Sequence, residues 1–263
     1  MKNMSKCTVG HDLYGKKTLV TGASRGIGRE IAISFAEAGA DVIINYPGEE
    51  EEENARQTAS RARQSSPETV DNTVCVIKGD VSKERDVERM FDRAEDELGQ
   101  ITTLVNNAGV FSSSPITELS IEEWERIMDV NLSGTFLTTR RALEPMLEAE
   151  SGTIINVASE LAYIGDVNVS HYVASKGGVV SFTRAVAREA APDVRVNAIA
   201  PGPVETDILS ETPEDQLADQ LQIPAGRAAQ PDEIAPTAVF LASEKASYYF
   251  GQVLSPSGGA VMR

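Results

Sequence analysis

The 263-residue chain has little cysteine, histidine or tryptophan. Its two cysteines, Cys7 and Cys75, cannot make a disulfide framework, and neither has metal-ligand spacing. His11 and His171 are the only histidines, so no zinc or other metal site is expected. Cys75 lies in the apolar run TVCVI and reads as a core thiol. Long hydrophobic runs are missing as well. No stretch approaches the ~20 apolar residues that span a bilayer. The start, MKNMSKCTVGHDLYGKK, has no apolar signal-peptide core, so the cytoplasm is the simplest compartment. Positive charge is scarce: 24 Lys+Arg, only 8 of them Lys, stand against 40 Asp+Glu, a net charge of −16. Such a chain is not expected to bind nucleic acid or an anionic membrane. Few Lys, more Arg and many carboxylates would suit a high-salt host, where screening removes self-repulsion. A hydrophobic content of 41% excludes disorder by composition.

What is present is alternation. Continuous apolar runs at 17–21, 41–46, 73–78, 101–106, 153–158 and 194–200 read as strands, with a last short one at 252–255. They do not alternate with polar residues, the mark of parallel strands buried on both faces. Between them lie helical patterns at 29–38, 49–64, 82–98, 121–147, 171–190 and 232–243. Ser82 is an imperfect cap for the third of these. The expected fold is a single-domain, doubly wound parallel α/β sheet of Rossmann type over 16–263. Residues 1–15 read as a flexible extension, and the Pro- and Asp-rich 201–231 as a substrate lid.

Two constellations carry chemistry. Gly22, Gly26 and Gly28 in TGASRGIG sit between the first strand and the first helix. Gly22 can turn tightly, and the other two let backbone approach a pyrophosphate at a helix N-terminus. The bland alternative is an ordinary glycine turn, but the strand-to-helix context favours a dinucleotide site. Tyr172 and Lys176 are four residues apart and share a helix face. An ammonium beside a phenol lowers its pKa and suits it to pass a proton to a carbonyl oxygen. That spacing alone is common by chance. Ser159, at the end of the fifth strand, strengthens it, because open α/β sheets bind ligands there.

TGASRGIG, NNAG from Asn106 to Gly109, Asn131 in NLSG, Ser159, YVASK and PGPVET from Pro201 to Thr206 occur in the order found in short-chain dehydrogenases/reductases. The chain resembles that family from about residue 16 to its end. It is most similar to the 3-oxoacyl-[acyl-carrier-protein] reductase type and is also similar to bacterial glucose dehydrogenases. The resemblance implies a catalytic set of Asn131, Ser159, Tyr172 and Lys176. Tyr172 would be the proton donor, Lys176 would tune it and hold the nicotinamide ribose, Ser159 would bond the substrate oxygen, and Asn131 would hold a relay water. It implies cofactor contacts from Gly22, Ser24, Arg25, Gly26, Ile27 and Gly28, and from Asn45 and Tyr46 after the second strand. Asp80 and Val81 would flank adenine. Asn107, Ala108 and Gly109 would line the ribose side, and Pro201, Gly202, Val204 and Thr206 would position the nicotinamide.

The second strand ends Asn45-Tyr46-Pro47, and Tyr46 stands where NAD-type members carry an acid. Arg25 resembles the arginine that grips a 2′-phosphate, so NADP is the expected cofactor, with NAD possible. The five carboxylates at 49–53 read as a solvated first turn. His171 is expected at a surface or interface, and Trp124 at a helix pair. Tyr248, Tyr249 and Phe250 read as interface or core packing, and Glu160 and Tyr163 as pocket edge or loop. The substrate is expected to be a small carbonyl or alcohol: a 3-oxoacyl thioester on CoA or a carrier, or a sugar or polyol. A non-catalytic dinucleotide sensor is the rival of another class. Acidic charge disfavours an acidic carrier unless basic residues such as Arg140, Arg141 and Arg184 cluster. By resemblance, a homotetramer or homodimer would form through 121–147 and 171–190, with Phe136, Leu143, Val180 and Phe182 as seam candidates.

Overall fold

A computed structural model describes residues 12–210, 217 and 220–262, with backbone only for Ile208 and Ser210. Residues 1–11 of the expected extension lie outside the described residues. Seven strands form one sheet: β1 Lys17–Val20, β2 Asp41–Tyr46, β3 Val74–Lys78, β4 Thr103–Asn106, β5 Gly152–Val157, β6 Val194–Ile199 and β7 Val253–Leu254. Their order is β3-β2-β1-β4-β5-β6-β7, and every pairing is parallel. The order reverses between β1 and β4, which opens a crevice at the carboxyl ends of those strands. This is the doubly wound, Rossmann-type sheet the sequence implies.

The helices are α1 Gly26–Glu37, α2 Glu52–Ser65, α3 Glu84–Leu98, α4 Ile121–Met128, α5 Gly134–Glu148, α6 Leu161–Ile164, α7 Ser170–Ala190, α8 Asp207–Ser210 and α9 Pro231–Ala242. On one sheet face, Ile31 and Phe35 of α1 pack with Ala59 of α2 and Ile234 and Leu241 of α9. On the other, Met90 and Phe91 of α3 pack with Met146 of α5 and Val186 of α7. The central strands are therefore buried on both faces and mostly apolar, the few polar side chains in them being buried as well. Among the described residues, no helix is long and apolar enough to cross a membrane.

Four local expectations change. The stretch 121–147 is not one helix: a π turn at Asp129–Ser133 separates α4 from α5. The Asn131 side chain there bonds both backbone groups of Val110, and Gly134 approaches Val81 so closely that a Cβ would lie 2.8 Å from Val81 Cγ2. Such bulges commonly mark functional sites. Ser82 does not cap α3, because its Oγ and N–H both donate to Asp80 Oδ1 (2.7 and 3.0 Å). The 49–64 pattern splits into a 3₁₀ turn, Glu49–Glu51, and α2. Finally, Leu13 lies in the presumed extension yet is fully buried, and its N–H donates to Ala38 O at 3.0 Å. Burial of one leucine there ties 12–15 to the core.

Arg195 on β6 is a buried cation with no carboxylate in bonding range among the described residues. Its guanidinium donates to Leu241 O (2.7 Å), Ser243 O (3.2 Å), Ala246 O (3.2 Å) and Thr153 Oγ1 (3.0 Å). It thus satisfies carbonyls at the C-terminus of α9, where a positive charge meets the negative dipole end. Arg195→Met should lower unfolding stability by about 2 kcal/mol, because those acceptors lose their donors. Urea denaturation checks this.

Candidate active site

The glycine loop leaves β1 at the crevice and is held from three sides. Asn45 Oδ1 accepts the Gly22 N–H at 3.2 Å, and its amide donates to Gly79 O at 2.9 Å. Asn107 Nδ2 donates to Thr21 O and Gly22 O, both at 2.9 Å. Thr21 Oγ1 accepts the N–H groups of Asn107 and Ala108. The NNAG segment is therefore a clamp on the loop. A Cβ on Gly22 would lie 2.7 Å from Ala108 Cα, and φ there is +59°.

A cleft of about 720 Å³ runs from this loop to α7. At its inner end, Tyr172 is buried, with its ring edge-on to Phe111 at 5.1 Å between centroids. Ser159 lies beside the phenol and favours its ionised form. Ser159 Oγ also donates to Glu160 Oε2 at 3.3 Å and accepts from Leu161 N at 3.2 Å. Lys176 is buried and donates to Val157 O at 2.9 Å, with Nζ 5.8 Å from the Tyr172 ring centroid. Gly109 forms the floor between Lys176 and Asn131: a Cβ there would lie 3.4 Å from Lys176 Nζ and 3.3 Å from Asn131 Oδ1.

The electrostatics differ from expectation at Tyr172. Burial pushes its pKa above the ordinary phenol value; the Glu160 charge adds to this, and the Ser159 hydroxyl opposes it. Lys176 shares the helix face as its spacing requires, but its ammonium bonds a β5 carbonyl. Burial brings Lys176 down to about 8. Burial also pushes Glu160 up to about 7.

Tertiary contacts the sequence did not reveal fix the helices that carry these groups. Asn106 on β4 faces Asn156 on β5. Asn106 Nδ2 donates to Asn156 Oδ1 and to Thr139 of α5 (both 2.9 Å), and Thr138 Oγ1 donates back to Asn106 Oδ1 at 2.6 Å. Asn156 Nδ2 reaches Thr183 of α7 at 2.9 Å. This buried polar chain locks α5 and α7 to the sheet. Polar residues inside continuous strands are the one sequence signal for it.

At the other end, Asn45, Asp80, Val81, Ser24, Arg25, Gly26 and Ile27 line the cleft; Pro201, Gly202, Val204 and Thr206 line it too, with Thr206 against Gly26. Tyr46, Gly28 and Asn131 do not. The β2 pleat turns Asn45 and Pro47 to the cleft and Tyr46 to the core. Gly28 is a packing glycine, since a Cβ would sit 2.3 Å from Asn107 Nδ2. Asn131 is buried beneath the floor, and its amide is fully used by Val110 and Ser175 (3.1 Å). Asp80 is pushed up by burial but held below the usual carboxylate range by Ser82 and Lys83.

The 49–53 carboxylates are not all solvated. Glu51 is 9% exposed, lines the cleft, and stands 3.5 Å from Arg25 Nε. Arg25 Nη1 also meets Asp207 Oδ2 at 2.6 Å. With Asp80 and Glu160, four carboxylates line the cleft, so the acidic excess is not confined to the outer surface. His171 is fully buried, not superficial; Nε2 pairs with Ser112 Oγ at 2.9 Å. Trp124 is half-buried, Tyr249 packs on Phe240, and Tyr248 is exposed. Of the excursion, 211–216, 218 and 219 lie outside the described residues, while Leu209 and Gln220 line the cleft.

These residues fit a dinucleotide. Helix α1 opens onto the cleft with no side-chain cap and no acid in its first turn, so its free N–H groups face a space lined by glycine. Residues 22–261 match the family model described as enoyl-(acyl carrier protein) reductase. The chain is similar to the 3-oxoacyl-[acyl-carrier-protein] reductase of Staphylococcus aureus, 38% identical over 250 residues, 94% of this chain and 98% of the relative. It is also similar to 3beta-hydroxysteroid dehydrogenase 1 of Eggerthella lenta, 39% identical over 256 residues and 95% of each. A solved structure from Agrobacterium tumefaciens, provisionally named a gluconate dehydrogenase, matches with a TM-score of 0.88 at 32% identity, covering 97% of this chain and 100% of that one. These relatives share the scaffold and differ in the substrates their names carry. The chain belongs to the short-chain dehydrogenase/reductase family and is an oxidoreductase.

Proposed function

We propose that the protein interconverts a carbonyl and a secondary alcohol with NADP, by way of Ser159, Tyr172 and Lys176. The observation that carries this is the meeting of Ser159, Tyr172 and Lys176 at the inner end of one cleft, with the Lys176 ammonium 5.8 Å from the Tyr172 ring centroid. The dinucleotide, when bound, supplies the hydride to the carbonyl carbon or accepts it from the carbinol. Everything else falls to the chain. Ser159 Oγ holds the substrate oxygen. Tyr172 gives that oxygen its proton in reduction and takes it back in oxidation. A phenol raised by burial keeps its proton at neutral pH, the form reduction needs. Lys176 holds the ribose hydroxyls and returns a proton to Tyr172. Asn131 acts by fixing Val110 and the cleft floor. The N-terminus of α1 would hold the phosphates. The described part of the excursion, with Leu209 and Gln220 on the cleft and Gln220 Nε2 bonded to Asp166 Oδ2 at 2.7 Å, covers the substrate.

The Staphylococcus relative supports a 3-oxoacyl thioester as substrate. A free or CoA-linked form suits the surface better than an acidic carrier, because Arg140 pairs with Glu84 and Arg141 with Glu88, Asp92 and Glu95. The polar cleft wall at Glu160 favours the second reading, a sugar- or polyol-type substrate. Consumption of NADPH with acetoacetyl-CoA and a carbonyl panel tests the reaction. Absence of turnover with every carbonyl overturns it in favour of a binding protein. Exposed Phe136, edge-on to Phe182 at 6.4 Å between centroids, supports a seam between copies, whereas Val180 faces the core. Light scattering reads the assembly.

NADP rests on Arg25. Its ion pairs with Asp207 and Glu51 are on a side chain 56% exposed, and such pairs are worth only about 0–1 kcal/mol. A 2′-phosphate offers the guanidinium a stronger, bidentate partner. Arg25→Ala should raise KM for NADPH about 10-fold and leave NADH within about 2-fold. Glu51→Gln should lower KM for NADPH, because an inward carboxylate is removed. Equal effects on both dinucleotides would assign Arg25 no part in reading the phosphate.

A further inference from the structure

Glu160 is a buried carboxyl that nothing in the fold requires. It follows Ser159, sits at the N-cap of α6, and is 5% exposed. The structural role belongs to its backbone. Glu160 N–H donates to Pro201 O at 2.9 Å, and Glu160 O accepts from Tyr163. The side chain has no such duty. Among the described residues, no lysine or arginine pairs with it, and its one bond from another side chain is the 3.3 Å contact from Ser159. Leu161, next in the chain, and Tyr172, which its charge reaches, belong to a small apolar cluster with Phe111. A carboxyl in such surroundings costs stability unless a partner satisfies it. It also faces the cleft beside both hydroxyls assigned to the reacting oxygen.

We infer that Glu160 is a specificity-determining residue that binds a hydroxyl on the carbon next to the reacting carbonyl, so that the preferred substrates are α-hydroxy ketones and the vicinal diols they form. This rests on the redox reading above and names its substrate class. Geometry sets the position: Glu160 Oε2 lies one hydrogen bond from Ser159 Oγ, and Ser159 holds the reacting oxygen. A group bound by Glu160 is therefore adjacent to that oxygen on the substrate. A hydroxyl suits the site because a carboxyl near its titration point can both accept and donate. A substrate ammonium is disfavoured by the Lys176 charge in the same cleft. The 2-methylene of a 3-oxoacyl chain offers Glu160 nothing to bond, and leaves its carboxyl desolvated.

The test compares acetoin with butan-2-one, which differ by that hydroxyl, and includes acetoacetyl-CoA. Wild type should favour acetoin over butan-2-one by about 30-fold in kcat/KM, the effect of one hydrogen bond to a charged group. Glu160→Leu should reduce that ratio to near one, chiefly by raising KM for acetoin. Glu160→Gln, which still bonds a hydroxyl, should keep a clear preference. Glu160→Leu should be at least as resistant to urea as wild type. A wild-type ratio near one, a ratio unchanged in Glu160→Leu, or an equal loss on both ketones with lowered stability would overturn the assignment while turnover persists. If no carbonyl, acetoacetyl-CoA included, consumes NADPH or NADH, the redox reading fails first and this inference falls with it.

Discussion

Tyr172→Phe is expected to lose turnover by at least about 100-fold, the usual worth of a positioned proton donor. The substitution removes one oxygen and leaves the ring in place against Phe111, so the apolar cluster with Leu161 and Val169 survives. Ser159 keeps its bonds to Glu160 and Leu161 N, and Lys176 keeps Val157 O. Dinucleotide affinity, read by quenching of Trp124 fluorescence or by calorimetry, should stay within about 3-fold, because only a reacting oxygen needs the phenol. The loss should fall on kcat and on kcat/KM alike. Retention of more than a tenth of kcat would remove Tyr172 from the proton path. Burial also gives the pH dependence a direction. Tyr172 is raised and Lys176 is lowered to about 8. Reduction needs the protonated phenol and its proton supply, so its rate should decline as pH rises through the region where Lys176 deprotonates.

Gly28→Ala should do its damage through shape. Gly28 has an ordinary helical backbone, so alanine is not strained there by φ. Its Cβ, however, would lie 2.3 Å from Asn107 Nδ2 and 2.6 Å from Gly22 O. Both are parts of the clamp that holds the glycine loop. The added methyl must push α1 off the sheet or break the Asn107 bonds. Overpacking of this kind costs about 1–3 kcal/mol, and each lost hydrogen bond adds about 1 kcal/mol. We expect a loss of about 3–4 kcal/mol in urea and at least a 10-fold loss of dinucleotide affinity. Gly177→Ala is the matched control. It is also a helical glycine, in α7, but nothing lies within 4 Å of its Cβ position. That change should be neutral or stabilise by up to about 1 kcal/mol. If the two substitutions behave alike, close packing is not the reason for Gly28.

The sheet was legible because its physics is local. Strands buried on both faces need long apolar runs, and the sequence pattern places all seven within two residues of their observed bounds. The helices failed where a distant residue overrode propensity. Residues 121–147 keep a helical pattern throughout, yet the bond from Asn131 to the Val110 backbone inserts a π turn. Leu13 looked like part of a polar tail, but the carbonyl that anchors its N–H belongs to Ala38.

The sequence by itself determined the fold class, the family and the short set of residues that meet at the cleft, because each motif is fixed by chemistry along the chain: glycines where backbone must come close, Tyr and Lys one turn apart, hydroxyls at strand ends. Only the tertiary structure decided which side chains face the cleft and what charge they carry there. It turned Tyr46 to the core and Asn45 to the loop, placed Glu51 and Asp207 on Arg25, gave Lys176 to a β5 carbonyl, and buried Glu160 beside Ser159. The pairing of residues far apart in the chain, and the burial that shifts their protonation, arise only when the sheet and helices have packed.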